Sequence, residues 1–334
     1  MIDIVIAIPR FSLSGGNLVS LNLGVYLQKN GYRVYAHSGF SIKVIEEVLL
    51  HRHSRGIMNS ILNIVSLISL SFYSLFCKNY IATHHLSSIF NLFKPASFAL
   101  VQDVESQFYP KKLRFIGKVF WRNYLRSKKL IVTNEYLAEK IGMDFKSSDG
   151  FAYIDSDNAI NSKAVDIENK IATTALLILR NGQYKSFEQT ITLFEALNDA
   201  GICTILINQS RTKIDSKYNK NIKEGLPRGD FLQYLSQTKY FICLSEWEGL
   251  GLPNFEAFSL GARIISTPIP SALLINDKFP GSISFDTKLA DVINIIKNDE
   301  LKSETLCTTF FNAQNERWMK YALRIINSEI THEC

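Results

Sequence analysis

Short apolar runs rich in β-branched and aromatic residues alternate along this chain with longer segments of helical pattern. Alternation of this kind is typical of α/β folds, in which parallel strands are joined by right-handed helical crossovers. In the N-terminal half, the runs predict strands at 2–8, 33–37, 80–84, 98–102, 130–133 and 151–154. The pattern therefore predicts a parallel sheet with helices packed against it.

The strand–helix pattern stops at a polar stretch, residues 155–170, and then restarts. Beyond it we predict strands at 175–179, 203–208, 240–244 and 263–266, with helices near 187–198, from 252, and over 301–330. The last helix carries apolar side chains at i, i+3, i+4 and i+7 spacing, namely Trp318, Tyr321, Ala322 and Ile325. A length of 334 residues suits two domains, with the polar stretch as their linker.

The segment 239–266 combines a strand, a glycine-bearing turn and a helix, with one carboxylate in the turn and another in the helix. Gly249 and Gly251 let backbone N–H groups approach a ligand, and Pro253 suits a first helical turn. A helix N-terminus is a favourable seat for phosphate, and Glu248 and Glu256 bracket this one. We interpret the segment as a nucleotide-sugar site; the alternative is an acidic turn in an ordinary strand–helix unit.

These residues also resemble a known family signature. Glu248 and Glu256 lie eight apart around E-G-L-G-L-P, and Gly261 ends the helix before the strand 263–266. This looks like the E-x7-E motif of the retaining glycosyltransferases of family 4. The resemblance implies the α/β GT-B fold, with two Rossmann-like domains facing across a cleft. It further implies an acceptor-binding domain at 1–156, a donor-binding domain at 157–312, and a C-terminal helix at 313–334 that returns to the first domain.

Two cations follow the first strand of the second half. Arg180 ends the strand 175–179 and Lys185 opens the next helix, at the strand end where α/β sheets bind ligands. Arginine can grip phosphate through two N–H groups and lysine acts as a point charge, although such a pair can also be a solvated turn. The resemblance implies that both hold the donor diphosphate, while Glu248 contacts the sugar and Glu256 the ribose. The donor-binding set that it implies is Gly16, Gly249, Leu250, Gly251, Leu252 and Glu256.

The glycines and loops match the family pattern only in part. Gly15 and Gly16 open the first helix, as in the family's first loop, but they do not form G-x-G-x-x-G, which disfavours a dinucleotide cofactor. Asn254 stands where the family prefers an aliphatic residue, and residues 267–271 replace a loop that is usually richer in glycine. These departures concern the identity of the sugar more than the reaction.

Polar groups follow the strand 98–102, in the order Q-D-V-E-S-Q-F-Y-P. The phrase V-Q-D-x-E-x-x-F-Y-P resembles a subgroup that contains bacterial rhamnosyltransferases of surface-glycan assembly. We predict that Asp103 is a catalytic residue that orients the acceptor hydroxyl. Glu105, Gln102 and His84 are predicted to bind the acceptor. The alternative for the carboxylates is a turn cap, and a lone histidine is more often structural.

A basic segment runs from Lys111 to Lys129, with eight cations, no acid, and several aromatic residues. A basic, aromatic, amphipathic helix suits an anionic membrane surface. The alternatives are nucleic acid, for which no reading module is recognisable, and a solvated face whose aromatic side chains belong to the core. We predict contact with an anionic membrane surface and no nucleic acid.

Residues 57–77 form an uncharged stretch of 21 residues, long enough to span a bilayer. Five serines and two asparagines dilute its hydrophobicity, and a spanning helix would interrupt the first domain. We therefore expect a buried helix or helix pair. Contact between one of its faces and a membrane stays open.

The resemblance implies transfer of a hexosyl group from a nucleotide-sugar donor to a glycan or lipid-linked acceptor, with retained configuration, in bacterial lipopolysaccharide, O-antigen or capsule assembly. GT-B enzymes generally act without a metal, and no Asp-x-Asp motif is evident, so we predict no cofactor. Five scattered cysteines favour the reducing cytoplasm, at the inner face of the membrane; Cys203 and Cys243 are expected in the core. The rivals are a GT-B nucleotide-sugar epimerase and a degenerate subunit supporting a partner transferase.

Overall fold

Each half of the chain folds around its own six-stranded sheet. The structure, a computed structural model, describes residues 2–53, 56–155, 175–210, 212–302 and 307–332. Unit 1 comprises Met1–Ile154 together with Ala313–Cys334, and unit 2 comprises Asp155–Asn312. The predicted linker at 155–170 lies, apart from Asp155, outside the described residues.

The sheet of unit 1 has the strand order β3-β2-β1-β4-β5-β6. Its strands are β1 (Asp3–Ala7), β2 (Arg33–His37), β3 (Ile42–Val44), β4 (Tyr80–Ala82), β5 (Phe98–Val101) and β6 (Lys129–Val132). Neighbouring strands are parallel except β2 and β3, which are antiparallel. This is the doubly wound order, in which the progression of strands across the sheet reverses at the parallel neighbours β1 and β4. Five of the six strands predicted for this half are confirmed within two residues at each end.

The sixth predicted strand, at 151–154, is wrong. The segment is largely buried, but the only ladder-like bond described for it joins the Ala152 N–H to the Thr133 carbonyl, at 2.9 Å. The next N–H, of Tyr153, donates instead to the Asn315 side chain at 3.0 Å. The apolar run is therefore buried beneath the terminal helix and not by a sheet, which apolar composition alone cannot distinguish.

In the described part of residues 1–154, the α-helices that accompany the first sheet are α1 (Gly15–Lys29), α2 (Ile57–Ser74), α3 (Arg114–Tyr124) and α4 (Glu135–Ile141). Helix α1 begins where Ser14 caps it, since the Ser14 hydroxyl accepts the Asn17 N–H at 3.2 Å. Helix α4 begins in the same way at Asn134 and ends at Gly142, which adopts the left-handed conformation.

The sheet of unit 2 repeats the order of the first, running β12-β11-β10-β7-β8-β9. Its strands are β7 (Ala175–Leu179), β8 (Thr204–Asn208), β9 (Ile222–Glu224), β10 (Tyr240–Cys243), β11 (Arg263–Ser266) and β12 (Ile283–Ser284), and all neighbours are parallel. The helices are α5 (Phe187–Asp199), α6 (Arg228–Ser236), α7 (Leu252–Ser259), α8 (Pro270–Lys278) and α9 (Leu289–Asn298). The four strands predicted for this half are confirmed, whereas β9 and β12 were too short to recognise.

The terminal helix α10 (Cys307–His332) belongs to both units, with the division after Asn312. In unit 2 the Phe311 ring packs against Phe255, with ring centroids 5.1 Å apart. In unit 1 Trp318 is fully buried and its Nε1–H donates to the Val132 carbonyl at 2.7 Å. The helix therefore returns to the first domain, as the resemblance implied.

Two expectations about burial are wrong. Helix α2 is not a buried helix, because only Ser66, Leu70, Ser71 and Ser74 are buried along it. Within the described ranges it is the one helix long and apolar enough to cross a membrane by length and composition, and 22% of it is buried. Cys203 is exposed because it precedes β8, whereas Cys243, on the central strand β10, is buried as expected.

Candidate functional site

Residues predicted to bind the donor lie where the strand order of unit 2 reverses. Arg180 follows β7 directly and the loop from Ser245 to Leu250 follows β10, the strand paired with β7. In open α/β sheets ligands bind outside the carboxyl ends of the strands at such a reversal point. The two loops are therefore in the position where this fold accommodates a ligand.

Glu248 bridges the two predicted cations. Its Oε1 accepts a hydrogen bond from the Arg180 guanidinium, and its Oε2 lies 2.7 Å from Lys185 Nζ. The ammonium also donates to the Trp247 carbonyl at 3.3 Å, and Arg180 to Ser245 Oγ at 3.3 Å. The structure thus brings Arg180, Lys185 and Glu248 into one cluster.

The charges of this cluster stabilise one another. Burial alone would raise the pKa of the Glu248 carboxyl, which is 7% exposed, but Arg180 and Lys185 outweigh it and hold that pKa below its ordinary value. Burial would lower the pKa of Arg180, and the charge of Glu248 outweighs it in turn, so that pKa is raised. Two cations and one anion at the reversal point leave a net positive charge, which favours a phosphate group.

Backbone conformation fixes the distance between the two loops. The Glu246 N–H donates to the Tyr184 carbonyl at 2.9 Å, which ties the loop after β10 to the loop after β7. Gly182 has φ +150°, and a Cβ there would lie 2.9 Å from Cγ of Lys185. A side chain at 182 would therefore displace the lysine from the cluster.

The turn before α7 is tight and buried. Gly251 has φ +86°, and a Cβ on it would meet Ser271 Oγ at 2.5 Å. The Leu250 carbonyl accepts the Ser271 N–H at 2.9 Å, while Gly249 and Leu250 are buried and Leu252 begins the helix. The four predicted donor-binding residues of this turn are therefore placed at the start of α7.

Glu256 has a cation of its own, Arg228, which no motif pointed to. The carboxylate is 3% exposed, and its Oε1 lies 2.6 Å from the Arg228 guanidinium at the start of α6. A buried carboxylate requires a positive partner, so the sequence could predict that Glu256 has one. It could not predict that this partner is Arg228. The two glutamates of the motif are thus held by different cations.

The unusual Asn254 has a packing role. It is 1% exposed, and its Nδ2 donates to Ser266 Oγ at 3.1 Å, at the end of β11. An aliphatic residue would leave this hydroxyl with one partner fewer. The serine in the neighbouring strand therefore satisfies the amide nitrogen, whereas Asn254 Oδ1 is buried without a hydrogen-bond partner among the described residues.

In unit 1 the structure brings Gly16 and Gln102 together. Gly16 is the second residue of α1, and a Cβ on it would lie 3.0 Å from Gln102 Oε1. Gln102 Nε2 donates to Ser20 Oγ at 3.2 Å, one turn further along the same helix. Asp103 lies next to them, half-buried, and its Oδ1 accepts the Val104 N–H at 2.7 Å. The turn cap considered as the alternative for Asp103 is thus formed by one of its two oxygens.

Glu105 and His84 meet around a third residue, His85, which was not among the residues predicted to bind the acceptor. His85 follows β4, at the reversal point of the first sheet, and is 3% exposed. Its backbone N–H and its Nδ1 lie 2.6 and 2.5 Å from Glu105 Oε2, and its Nε2 lies 2.6 Å from the Tyr109 hydroxyl. The doublet His84-His85 was the available signal, because one of two adjacent histidines after a buried strand has to face inward.

The same group has the composition of a metal site. Among the described residues, His84, His85 and Glu105 place one ligand atom each within 4.8 Å of one another. However, Nδ1 of His84 accepts the Leu86 N–H at 3.1 Å, which places the ring proton on Nε2, facing Glu105 Oε1 at 3.8 Å. The hydrogen bonds therefore describe a network that joins the loops after β4 and β5.

Electrostatics agree with that description. Burial lowers the pKa of His84, which favours the neutral ring. Burial raises the pKa of Glu105, but His84 and the hydrogen bonds from His85 outweigh it, and the pKa lies below its ordinary value. The Glu105 carboxylate is therefore ionised and is stabilised by the hydrogen bonds from His85 and by the facing His84 ring.

Replacement of Glu248 by glutamine should remove an acid-sensitive part of the stability of unit 2. Because the folded-state pKa of Glu248 is depressed below 4.5, its contribution is complete above that value and is lost as pH falls through the lowered one. At pH 7 the E248Q variant should be less stable by roughly 3 kcal/mol. The difference in free energy of unfolding between the unmodified protein and E248Q should decrease below about pH 4.5. Urea unfolding followed by circular dichroism would measure it. A difference independent of pH would contradict the charge assignment.

No protein-family model matches the sequence, and no curated protein matches it significantly. Solved structures do match it along nearly its whole length. HepE of Anabaena in complex with UDP-glucose has a TM-score of 0.60 at 12% identity, covering 100% of this chain and 99% of that one. WaaG, a glycosyltransferase involved in lipopolysaccharide biosynthesis, has a TM-score of 0.59 at 13% identity, covering 96% and 95%.

A third match comes from another class of enzyme. A protein of Listeria monocytogenes described as a UDP-N-acetylglucosamine 2-epimerase has a TM-score of 0.56 at 11% identity, covering 95% and 90%. At such identities the likeness concerns the fold and not the chemistry. The chain, with its two parallel-sheet α/β domains and returning terminal helix, has the GT-B fold of these glycosyltransferases.

Proposed function

We propose that this protein is a retaining glycosyltransferase that moves a hexosyl group from a nucleotide-sugar donor to a glycan or lipid-linked glycan. The observation that carries the proposal is the cluster of Arg180, Lys185 and Glu248 at the reversal point of unit 2. It supplies positive charge where a departing nucleoside diphosphate needs it. Family 4 membership, suggested by the E-x7-E spacing of Glu248 and Glu256, belongs to the same proposal.

In the proposed reaction the bond between the anomeric carbon and the donor phosphate oxygen breaks first. Arg180 and Lys185 stabilise the diphosphate that departs with the bonding electrons. The acceptor hydroxyl attacks the anomeric carbon on the same face, and its proton passes to the departing phosphate oxygen. Fixed cations then supply the charge stabilisation, and the reaction uses neither a dedicated base nor a metal cofactor.

The remaining residues position the two substrates. Glu256, held by Arg228, accepts hydrogen bonds from the ribose hydroxyls, and the backbone from Gly249 to Leu252 contacts the sugar or phosphate. Glu248 orients both cations and can still accept a sugar hydroxyl, because each of its oxygens keeps a second lone pair. In unit 1 the donor phosphates approach Gly16, and Asp103 orients the acceptor hydroxyl beside Gln102. Glu105 and His84 act by holding the loops after β5 and β4.

We propose that the enzyme acts in bacterial surface polysaccharide assembly, that is lipopolysaccharide, O-antigen or capsule. WaaG and the outer core galactosyltransferase WaaB, whose structures resemble this fold, act in lipopolysaccharide biosynthesis by their descriptions and support this context. We place the protein on the cytoplasmic face of the membrane. Contact with anionic lipid would be made by the segment from Lys111 to Lys129.

The second candidate is a nucleotide-sugar epimerase, favoured by the epimerase structure that shares the fold. Both activities need a nucleotide-sugar site, so binding alone does not separate them. Incubation with the bound donor separates them, since an epimerase converts the donor without an acceptor. A donor that stays unchanged until an acceptor is added supports the transferase. A subunit that binds the donor and does neither would be the degenerate partner of another transferase.

Donor binding should be detectable as thermal stabilisation. Screening the purified protein against UDP-, GDP- and dTDP-sugars should raise the melting temperature with one nucleotide, because a ligand at 100 times its Kd adds about 2.7 kcal/mol. E256A should lose most of this shift, since it removes the carboxylate assigned to the ribose.

The matched control is D277A, an exposed carboxylate in the last turn of α8, at the opposite edge of the sheet from the predicted site. It should bind donor like the unmodified protein. A wild-type protein that no nucleotide sugar stabilises would contradict the transferase. Equal shifts in E256A and D277A would contradict the role of Glu256 only.

A further inference from the structure

Helix α2 is built with its polar side inward. Its buried residues are three serines and one leucine, whereas its isoleucines face solvent. Six of its exposed apolar side chains fall at i, i+4, i+7, i+8, i+11 and i+15 spacing, namely Ile57, Ile61, Ile64, Val65, Ile68 and Phe72. They therefore form one continuous stripe along the outer face of the helix.

The serines fix this orientation. Ser66 Oγ donates to the Ser38 carbonyl at 2.6 Å, and Ser71 Oγ accepts the Phe90 N–H at 3.2 Å. The helix lies close to the backbone that follows β2 because residue 39 is glycine: a Cβ there would lie 2.5 Å from the Ser66 carbonyl oxygen. Rotation of α2 to bury the stripe would break these bonds.

The apolar stripe continues onto the segment His85–Leu92 and its end. The Phe72 and Phe90 rings lie 6.4 Å apart, and Phe90 is again 6.4 Å from Phe93, which is 79% exposed. Leu92 and Phe76 are also exposed. Two adjacent elements of unit 1, α2 and the 85–93 segment, thus share one apolar surface, much larger than the isolated exposed residues of a soluble protein.

Helix α3 adds positive charge beside this surface. Asn123 Nδ2 donates to the Ser88 and Ile89 carbonyls at 3.0 and 2.6 Å, which fixes α3 against the neighbouring segment. Trp121 and Tyr124 are buried, but the outer side is both apolar and basic. The helix exposes Phe115, Ile116, Lys118, Val119 and Arg122, and the turn just before it exposes Lys111, Lys112 and Leu113.

We propose that α2, the 85–93 segment and α3 together form a lipid-docking surface, on which the protein lies in the plane of a bilayer that contains anionic phospholipid. The apolar stripe enters the acyl boundary and the cations of α3 meet the headgroups. This extends the membrane contact of the proposed function, and it assigns the insertion to α2, which carries no charge.

Two other arrangements fit the surface less well. A second copy of the chain related by twofold symmetry would bring the cationic rims of both copies to the same interface. A spanning helix would have to leave the serine contacts along its length, although β4, a central strand of the sheet, begins six residues after α2 ends. An interfacial helix keeps both the fold and the exposed stripe.

The test uses the full chain without donor, sedimented with vesicles of phosphatidylcholine alone or mixed with phosphatidylglycerol. The unmodified protein should bind the mixed vesicles. The triple variant I61S/I64S/I68S should bind about tenfold less or worse, with L289S, an exposed leucine of unit 2, as its control. K118E/R122E should lose about tenfold of the preference for anionic vesicles, and K297E should keep it.

Three results would overturn the proposal. The first is an unmodified protein that stays in the supernatant with both vesicles. The second is a dimer in size-exclusion chromatography that the triple serine variant converts to a monomer, which would assign the stripe to self-association. The third is a triple variant that binds like the unmodified protein while K118E/R122E does not. Vesicle binding would then depend on surface charge only, without insertion of the apolar stripe. Because no donor is present, loss of transfer activity is measured separately and does not decide this proposal.

Discussion

Replacing Lys185 by alanine is expected to lower the turnover of sugar transfer by about 10²- to 10³-fold. The Lys185 ammonium lies 2.7 Å from the Glu248 carboxylate, and only 14% of the lysine side chain is exposed. Its charge is therefore weakly screened by solvent, and removal of the side chain leaves no other cation in its place. Negative charge grows on the departing diphosphate as the bond breaks. The loss should therefore fall on kcat more than on KM, since the interaction strengthens in the transition state.

The matched control for this variant is K217A. Lys217 also pairs with one carboxylate, Asp199, at 2.6 Å, but 65% of its side chain is exposed and it lies beyond the end of α5, away from the reversal point. It should retain full activity. Steady-state kinetics with a nucleotide sugar that stabilises the protein would measure both. If K185A had the same kcat as K217A, the result would contradict a role for Lys185 in the reaction.

Replacing Trp318 by alanine is expected to destabilise unit 1 by about 3–5 kcal/mol. The indole is fully buried in the first domain, and its Nε1–H is the donor to the Val132 carbonyl at the end of β6. The variant therefore opens a large cavity and also leaves a buried carbonyl without that donor.

The conservative variant W318F separates the two contributions. It fills most of the volume but cannot donate to Val132, so we expect a loss of about 1–3 kcal/mol. Urea unfolding followed by circular dichroism would give both values, and donor-induced thermal shifts would report on unit 2. A loss below about 1 kcal/mol for W318A would mean that α10 is not part of the core of unit 1.

The sequence could predict the elements whose signal is local. Strands such as 175–179 are continuous apolar runs between turn residues, and their identity does not depend on distant contacts. The proximity of Arg180, Lys185 and Glu248 could be predicted for the same reason. Each follows a recognisable strand, and the fold order brings those strand ends together.

The failures have a different physical origin. The segment 151–154 is apolar and β-rich, yet a helix that begins more than 150 residues later covers it. Helix α2 is apolar and was expected to be buried, but serine hydrogen bonds to Ser38 and Phe90 turn its apolar side outward. Arg228 and His85 were missed because their partners, Glu256 and Glu105, are distant in the sequence and adjacent only after folding.

The shared terminal helix has a consequence for biosynthesis. Residues 1–154 of unit 1 leave the ribosome before unit 2, but the residues from Ala313 that complete the core of unit 1 leave after unit 2. Until they emerge, the Val132 carbonyl and the apolar segment before residue 155 have no helix to cover them. The first domain is therefore the last to be finished, and a nascent chain must keep an incomplete α/β sheet from aggregating while the whole second domain is made.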